Sequence, residues 1–168
     1  YSPIMVAPGN AESDEGLLVR TMYAPFEEAA EFPGMTSYLD MMETYNPDGK
    51  IAGLGLQATS AFLMFATAAN ACLDSNNNVL ERECVLAAGK TITSWTGGGL
   101  HSETNPAENR PPKCGAILGV KGGKWTRIYP VLGSADDNAN GWHCDENGSV
   151  EIVGDFGDVT AGLDPTRP

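Results

Sequence analysis

A chain of 168 residues is the size of one domain, long enough to bury a core and too short for two comfortable ones. Its 10 basic residues against 22 acidic ones give a formal charge of -12, which repels phosphate backbones and anionic membrane surfaces, so no nucleic-acid partner is expected. The acidic residues are scattered and not gathered into a tail; they describe a well-hydrated surface and name no ligand.

In chain order, "YSPIMVAPGN" has no basic segment followed by an apolar one, so no signal peptide is read there and a processed or excised chain is expected. After the turn-rich "APGNAESDE", the β-branched and apolar run "GLLVRTMY" (16–23) predicts a strand ending near Ala24-Pro25. In "EFPGMTSYLDMMETYNPDGK", Pro33 suits a first helical turn and Met35, Tyr38, Leu39 and Met42 recur at helical spacing. Asn46-Pro47-Asp48-Gly49 stops that helix.

The most apolar run, "GLGLQATSAFLMFATAANACL" (53–73), is interrupted by Gln57, Thr59, Ser60, Thr67 and Asn70, which suits a bilayer poorly. It reads as a buried helix over roughly 56–73, with Ala58, Ala61, Phe62, Phe65, Ala69 and Cys72 on one stripe and Leu63 and Met64 widening it, so it needs cover on most sides. The spacing of Val85, Leu86, Gly89 and Ile92 predicts another helix over 82–95. Further on, "GAILGV" and "KWTRIY" flank Lys121-Gly122-Gly123 and predict a β-hairpin, because glycines accept the positive φ of tight turns. Residues 133–149 are polar and glycine-rich, "VEIV" (150–153) predicts a last short strand, and the remainder reads as tail. The order is mixed α/β without a complete sheet of its own.

Four cysteines, Cys72, Cys84, Cys114 and Cys144, lie without a C-x-x-C pair, which argues against a zinc ribbon. Three disulfide pairings are possible, and four reduced buried thiols are the plain alternative; the sequential pairing is favoured. An αα-hairpin brings Cys72 and Cys84 together, and the chain-entropy relation gives about 3 kcal/mol for that loop and somewhat under ~4 for 114–144. Such bridges imply an oxidising compartment.

Other constellations are thinner. His101 and Glu103, in the loop "GGGLHSETNPAENRPPKC", could act as base and orienter in a secreted hydrolase, but no serine or cysteine nucleophile stands in a recognisable elbow. His143 with Cys144 and Cys114 could hold a metal if the cysteines stay reduced. Asp136, Asn138, Asn140 and Gly141 match the first half of an EF-hand loop, the basis of a calcium-stabilised interaction module, yet Asn147 stands where the closing glutamate belongs. Gly97-Gly98-Gly99 is followed by no lysine and is not a phosphate loop. Asn147-Gly148-Ser149 is a glycosylation sequon for a host that glycosylates.

Taken together, "EGLLVRTMYAPFEEA", "PGMTSYLDMMETY", "GLQATSAFLMFATAANAC" and the series "EC…WTGGGLH…TNPxxNRPPxC…VxxGKWxRxYP…CD" resemble the C-terminal part of bacterial solute-binding proteins of ABC transporters, the type 1 periplasmic-binding fold of branched-chain amino-acid receptors. The likeness runs from about residue 12 to about residue 157. It implies two Rossmann-like lobes joined by three crossing strands and closing as a hinge on a small solute. This chain would supply an incomplete lobe: helices over 12–96, crossings near Thr21–Phe26 and Gly97–Cys114, the hairpin within 97–157, and a tail over 158–168. In the subgroup it resembles, the cysteines are bridged in the sequential order.

The resemblance also implies a non-enzyme without cofactor, placed in the periplasm or on the outer face of the cell membrane. Its partners would be a small solute such as an amino acid, an ABC permease, and the remaining N-terminal part of the same receptor. The expected cleft residues are Gln57, with the field of its helix N-terminus, its neighbours Leu56, Ala58 and Thr59, and Tyr23 at the first crossing. Plainer roles stand beside these: an amide tying down a loop for Gln57, and packing for Tyr23. His101 is expected to be structural.

Overall fold

The computed structural model describes residues 3–7, 9, 10, 12–108 and 112–148, so the strand expected at 150–153 and the tail lie outside the described residues. The elements are β1 (Leu18–Thr21), α1 (Pro33–Tyr45), α2 (Gly53–Ser75), α3 (Arg82–Lys90), β2 (Cys114–Lys121), β3 (Lys124–Tyr129) and β4 (His143–Cys144), with short 3-10 turns between them. Among the described residues the architecture is mixed α/β: three helices and a small antiparallel sheet.

Strand β2 is the sheet's centre. It pairs with β1 from Leu18↔Gly119 to Thr21↔Ala116, and with β3 from Lys121↔Lys124 to Ile117↔Tyr129. Where β3 pairing stops, β4 takes over at Gly115↔His143 and Cys114↔Cys144. Gly122 and Gly123 close the β2–β3 hairpin at φ +59° and +70°, a left-handed pair that costs a side-chain-bearing residue far more than glycine.

Helix α1 opens with Pro33 at its first turn, where a missing N–H costs nothing, and ends as the Asn46 N–H bonds the Met42 carbonyl at 2.9 Å. Its buried Met35 and Tyr38 join Phe32, Leu56, Leu100, Ala116 and Trp142 in the main core. A second cluster of Leu118, Val120 and Trp125 lies further along the hairpin, with Met5, Val6 and Val19 against it. Arg127 of β3 reaches the 3-10 turn Phe26–Glu31, where its guanidinium donates to both oxygens of Glu28 and to the Gly141 carbonyl.

Both disulfides are the sequential pairs, Cys72–Cys84 and Cys114–Cys144. The first clips α2 to α3 in an αα-hairpin; the second joins β2 to β4.

Two expectations are corrected. The third helix ends at Lys90 and not at residue 95. Thr91, Ile92 and Thr93 lose χ1 freedom in a helix, and Trp95 instead exchanges two backbone hydrogen bonds of 2.9 Å with Thr104. Helix α2 is also not buried on most sides. Only Leu56, Ser60, Ala68, Ala69 and Cys72 are buried, while Leu54 and Phe62 are about three-quarters exposed and Phe65 is half exposed. At 23 residues it has the length and composition of a membrane span, but its covered side carries Ser60 and a disulfide cysteine that tie it to the protein.

Candidate functional site: a recess between helix α2 and the 95–108 segment

Two stretches far apart in sequence run side by side behind α2. Tyr23 and His101 form an antiparallel bridge, flanked by Ala24 N–H to Leu100 carbonyl at 2.9 Å and Ser102 N–H to Met22 carbonyl at 2.8 Å. These are the segments expected to be crossings.

His101 is buried at 3 % exposure and Ser60 of α2 at 5 %. Nδ1 of His101 lies 2.7 Å from the Ser102 carbonyl, which only accepts, so Nδ1 carries the proton and Nε2 is an acceptor. The Ser60 hydroxyl donates to Nε2 at 2.8 Å and accepts from the Trp95 indole N–H at 3.0 Å. Burial holds the His101 pKa below the ordinary 6.5, against the opposing pull of its bond to Ser102. The imidazole is therefore neutral near pH 7. Gly97, at φ +63°, closes the pair from above: a Cβ there would stand 2.6 Å from Ser60 Oγ and 2.9 Å from the His101 ring.

An open recess of about 350 Å³ adjoins this pair. Met22, Met64, Pro106 and Pro112 give it apolar walls, and Trp95 and Tyr23 give it aromatic ones. Gln57, Thr104 and Asn105 supply polar groups. Trp95 is held by its bond to Ser60, and Tyr23 packs edge-on against His101 with ring centroids 5.2 Å apart. One buried pair thus fixes both rings.

Of the residues expected at a cleft, Gln57 and Tyr23 line this recess and Leu56, Ala58 and Thr59 do not. Leu56 is fully buried in the core, Ala58 is exposed, and Thr59 is partly covered on a neighbouring face. Ala52 is the N-cap of helix α2 and its carbonyl already accepts from the Gly55 N–H at 2.9 Å, so the free N–H groups of the helix start precede Gly55 and Gln57 sits further inside. The helix-terminus field expected at Gln57 is weakened accordingly. Sequence reasoning missed Ser60, Met64 and Trp95. Gln57, Ser60, Ala61 and Met64 follow the i, i+3, i+4, i+7 spacing of one helix face, which is the signal that would have found the wall.

The remaining candidates are placed otherwise. Glu103 is exposed and does not orient His101, whose ring atoms bond Ser60 and Ser102. Cys114 and Cys144 are consumed in a disulfide. In the EF-hand-like loop, Asn138 bonds the Cys144 backbone through both its amide atoms, and the Asp136 carbonyl accepts from His143. Asp137 accepts from the Gly133 and Gly141 amides. Among the described residues, no three His, Cys, Asp or Glu side chains are grouped to hold a metal.

No family model, curated protein or solved structure matches this chain. The two disulfides point to an oxidising, extracytoplasmic environment.

Proposed function

We propose that this chain is the C-terminal portion of a two-lobed solute-binding receptor of an ABC importer, working in the periplasm or on the outer face of the cell membrane. The observation that carries the reading is the uncovered apolar face of α2, where Leu54, Ala58, Phe62 and Phe65 share one side of the helix and face solvent. Leaving a large apolar side chain in water forgoes up to about 1.5–3 kcal/mol, so such a face calls for a covering layer. The rest of a first lobe, packed as a sheet against α2 and α3, is the cover that the sequence resemblance implies. The adjacent Tyr23 and His101 segments fit two neighbouring connections of a hinge.

In this reading no bond is made or broken. A solute desolvated between two lobes gains contacts that exist only in the closed form, so binding shifts the population from open to closed and offers the closed surface to a permease. The test is small-angle scattering of the intact receptor with and without a panel of small solutes. A fall in radius of gyration on saturation is expected; an unchanged radius with every solute, and no solute-dependent rise in Tm, would overturn the reading.

A further inference from the structure

We propose that Ser60 and His101 are a nucleophile and a general base that take the acyl group of a small carboxylic ester and pass it to water. This goes beyond solute capture, in which no bond is made or broken, and it does not depend on a second lobe.

The geometry supplies the parts that acyl transfer needs. A serine hydroxyl is a weak nucleophile unless a base stands ready for its proton, and Ser60 Oγ already donates to Nε2 of His101 at 2.8 Å. That base must in turn be held in one tautomer. The Ser102 carbonyl, 2.7 Å from Nδ1, holds it, in the place that a carboxylate takes in a serine triad. Burial keeps the imidazole neutral near pH 7, the form a base requires. Trp95 brings its indole N–H to 3.0 Å from Oγ, so negative charge left on the oxygen as its proton departs meets a donor.

A satisfied core hydrogen bond is the plain account of a buried Ser–His pair, and two observations point past it. Both residues line the recess of about 350 Å³, so the bond stands at the wall of an open space. The residue against Ser60 is Gly97, whose missing Cβ, which would fall 2.6 Å from Oγ, keeps the hydroxyl clear. The Gly97 N–H makes no hydrogen bond to a described residue and is the donor assigned to the oxyanion. Met22, Met64, Tyr23 and Trp95 form apolar and aromatic walls, which suit a short apolar acyl or alcohol part.

The step balances without a further reactant. Ser60 Oγ bonds to the ester carbonyl carbon as its proton moves to Nε2; the carbon–oxygen bond to the alcohol breaks, and the alcohol leaves with that proton. Water then attacks the acyl-serine and gives a proton to Nε2, which returns it to Ser60 Oγ as the acid departs. Only water is consumed, and nothing is oxidised or reduced. The Ser102 carbonyl carries no charge to steady the imidazolium, so turnover is slower than in a carboxylate triad, and with an activated ester the acyl-serine accumulates.

The experiment exposes the protein to p-nitrophenyl acetate and follows p-nitrophenolate release together with mass spectrometry of the chain and its peptides. A burst is expected, with a single acetyl group on Ser60. His101→Gln, which keeps a side chain able to bond Ser60, should slow the burst about 100-fold or more. The wild-type burst rate should rise with pH through one ionisation below 6.5 that the variant lacks. Phenylmethylsulfonyl fluoride on the unaltered chain needs no variant to fold: its sulfonyl group should settle on Ser60 and abolish the burst. Acetyl groups on lysines or the N-terminus with Ser60 unmodified overturn the proposal. So does a Ser60 that neither reagent reaches, or one acylated equally fast in folded His101→Gln. None of these outcomes bears on compaction by a solute, so the receptor reading stands or falls separately.

Discussion

The hydroxyl of Ser60 and the Nε2 of His101, 41 positions apart in sequence, meet in a buried hydrogen bond of 2.8 Å that ties α2 to the 95–108 segment. Because burial lowers the His101 pKa, the unfolded chain takes up a proton near pH 6.5 while the folded one resists it. Above that pH the two states bind equally and nothing is lost; as pH falls through 6.5, stability declines. Unfolding free energy from urea titration should be lower at pH 5.5 than at pH 7.5. In His101→Gln the slope over that window should flatten. The Asp137 carboxyl acts in a separate window: burial pushes its pKa up, but the Gly133 and Gly141 amides and Arg127 pull it below 3.8, so its contribution is lost only in stronger acid.

Arg127 and Glu28 form a bidentate pair with side chains only 7 % and 19 % exposed. Removing one partner leaves the other charge buried without its counter-ion, at a cost of about 3–5 kcal/mol. Arg127→Met should therefore destabilise strongly. Arg127→Met with Glu28→Gln should lose markedly less than the sum of the singles in a denaturant double-mutant cycle. Additive losses would mean that the two side chains are not coupled.

Gly97 and Gly122 both have positive φ but differ in their surroundings. Around Gly122 a Cβ meets nothing within 4 Å, so Gly122→Ala should cost only backbone strain, about 1–2 kcal/mol. At Gly97 the same methyl lands on Ser60 and His101. Overpacking adds roughly 1–3 kcal/mol to the strain, and Gly97→Ala should lower Tm by clearly more than Gly122→Ala. Equal shifts would show that the buried pair gives way easily.

The disulfides enclose loops of different length, with sequence separations of 12 and 30. Loop-closure entropy gives about 3 kcal/mol for Cys72–Cys84 and somewhat under ~4 for Cys114–Cys144. Cys144→Ser paired with Cys114→Ser should cost the larger amount in denaturant unfolding. Thiol titration of the denatured, unreduced protein should find no free thiol.

What the sequence disclosed was local. Pro33 with the 35-38-39-42 spacing, and Gly122-Gly123 between apolar runs, each act through a few neighbouring residues and were read correctly. The cysteine pairing was legible because a short polar loop between two helices returns Cys84 to Cys72. Exposure was not legible. The pattern of Leu54, Phe62 and Phe65 says that the helix seeks cover, but apolar spacing alone does not say which part of a molecule supplies it. The end of the third helix was missed because Ile92 continues the period while its β-branched neighbours and the Trp95–Thr104 pairing prevail. The partnership of Ser60 and His101 depends on tertiary placement over 41 positions, and one short polar side chain in an apolar run carries no mark of it.

Among the described residues, strand β2 touches each of the other three strands, β1 along one side and β3 then β4 along the other. It is therefore the one strand that cannot be peeled away without dissolving the whole sheet, whereas each outer strand can fray alone. In deuterium exchange its amides should be the slowest of the sheet to report solvent, and the temperature at which they quicken should mark global unfolding.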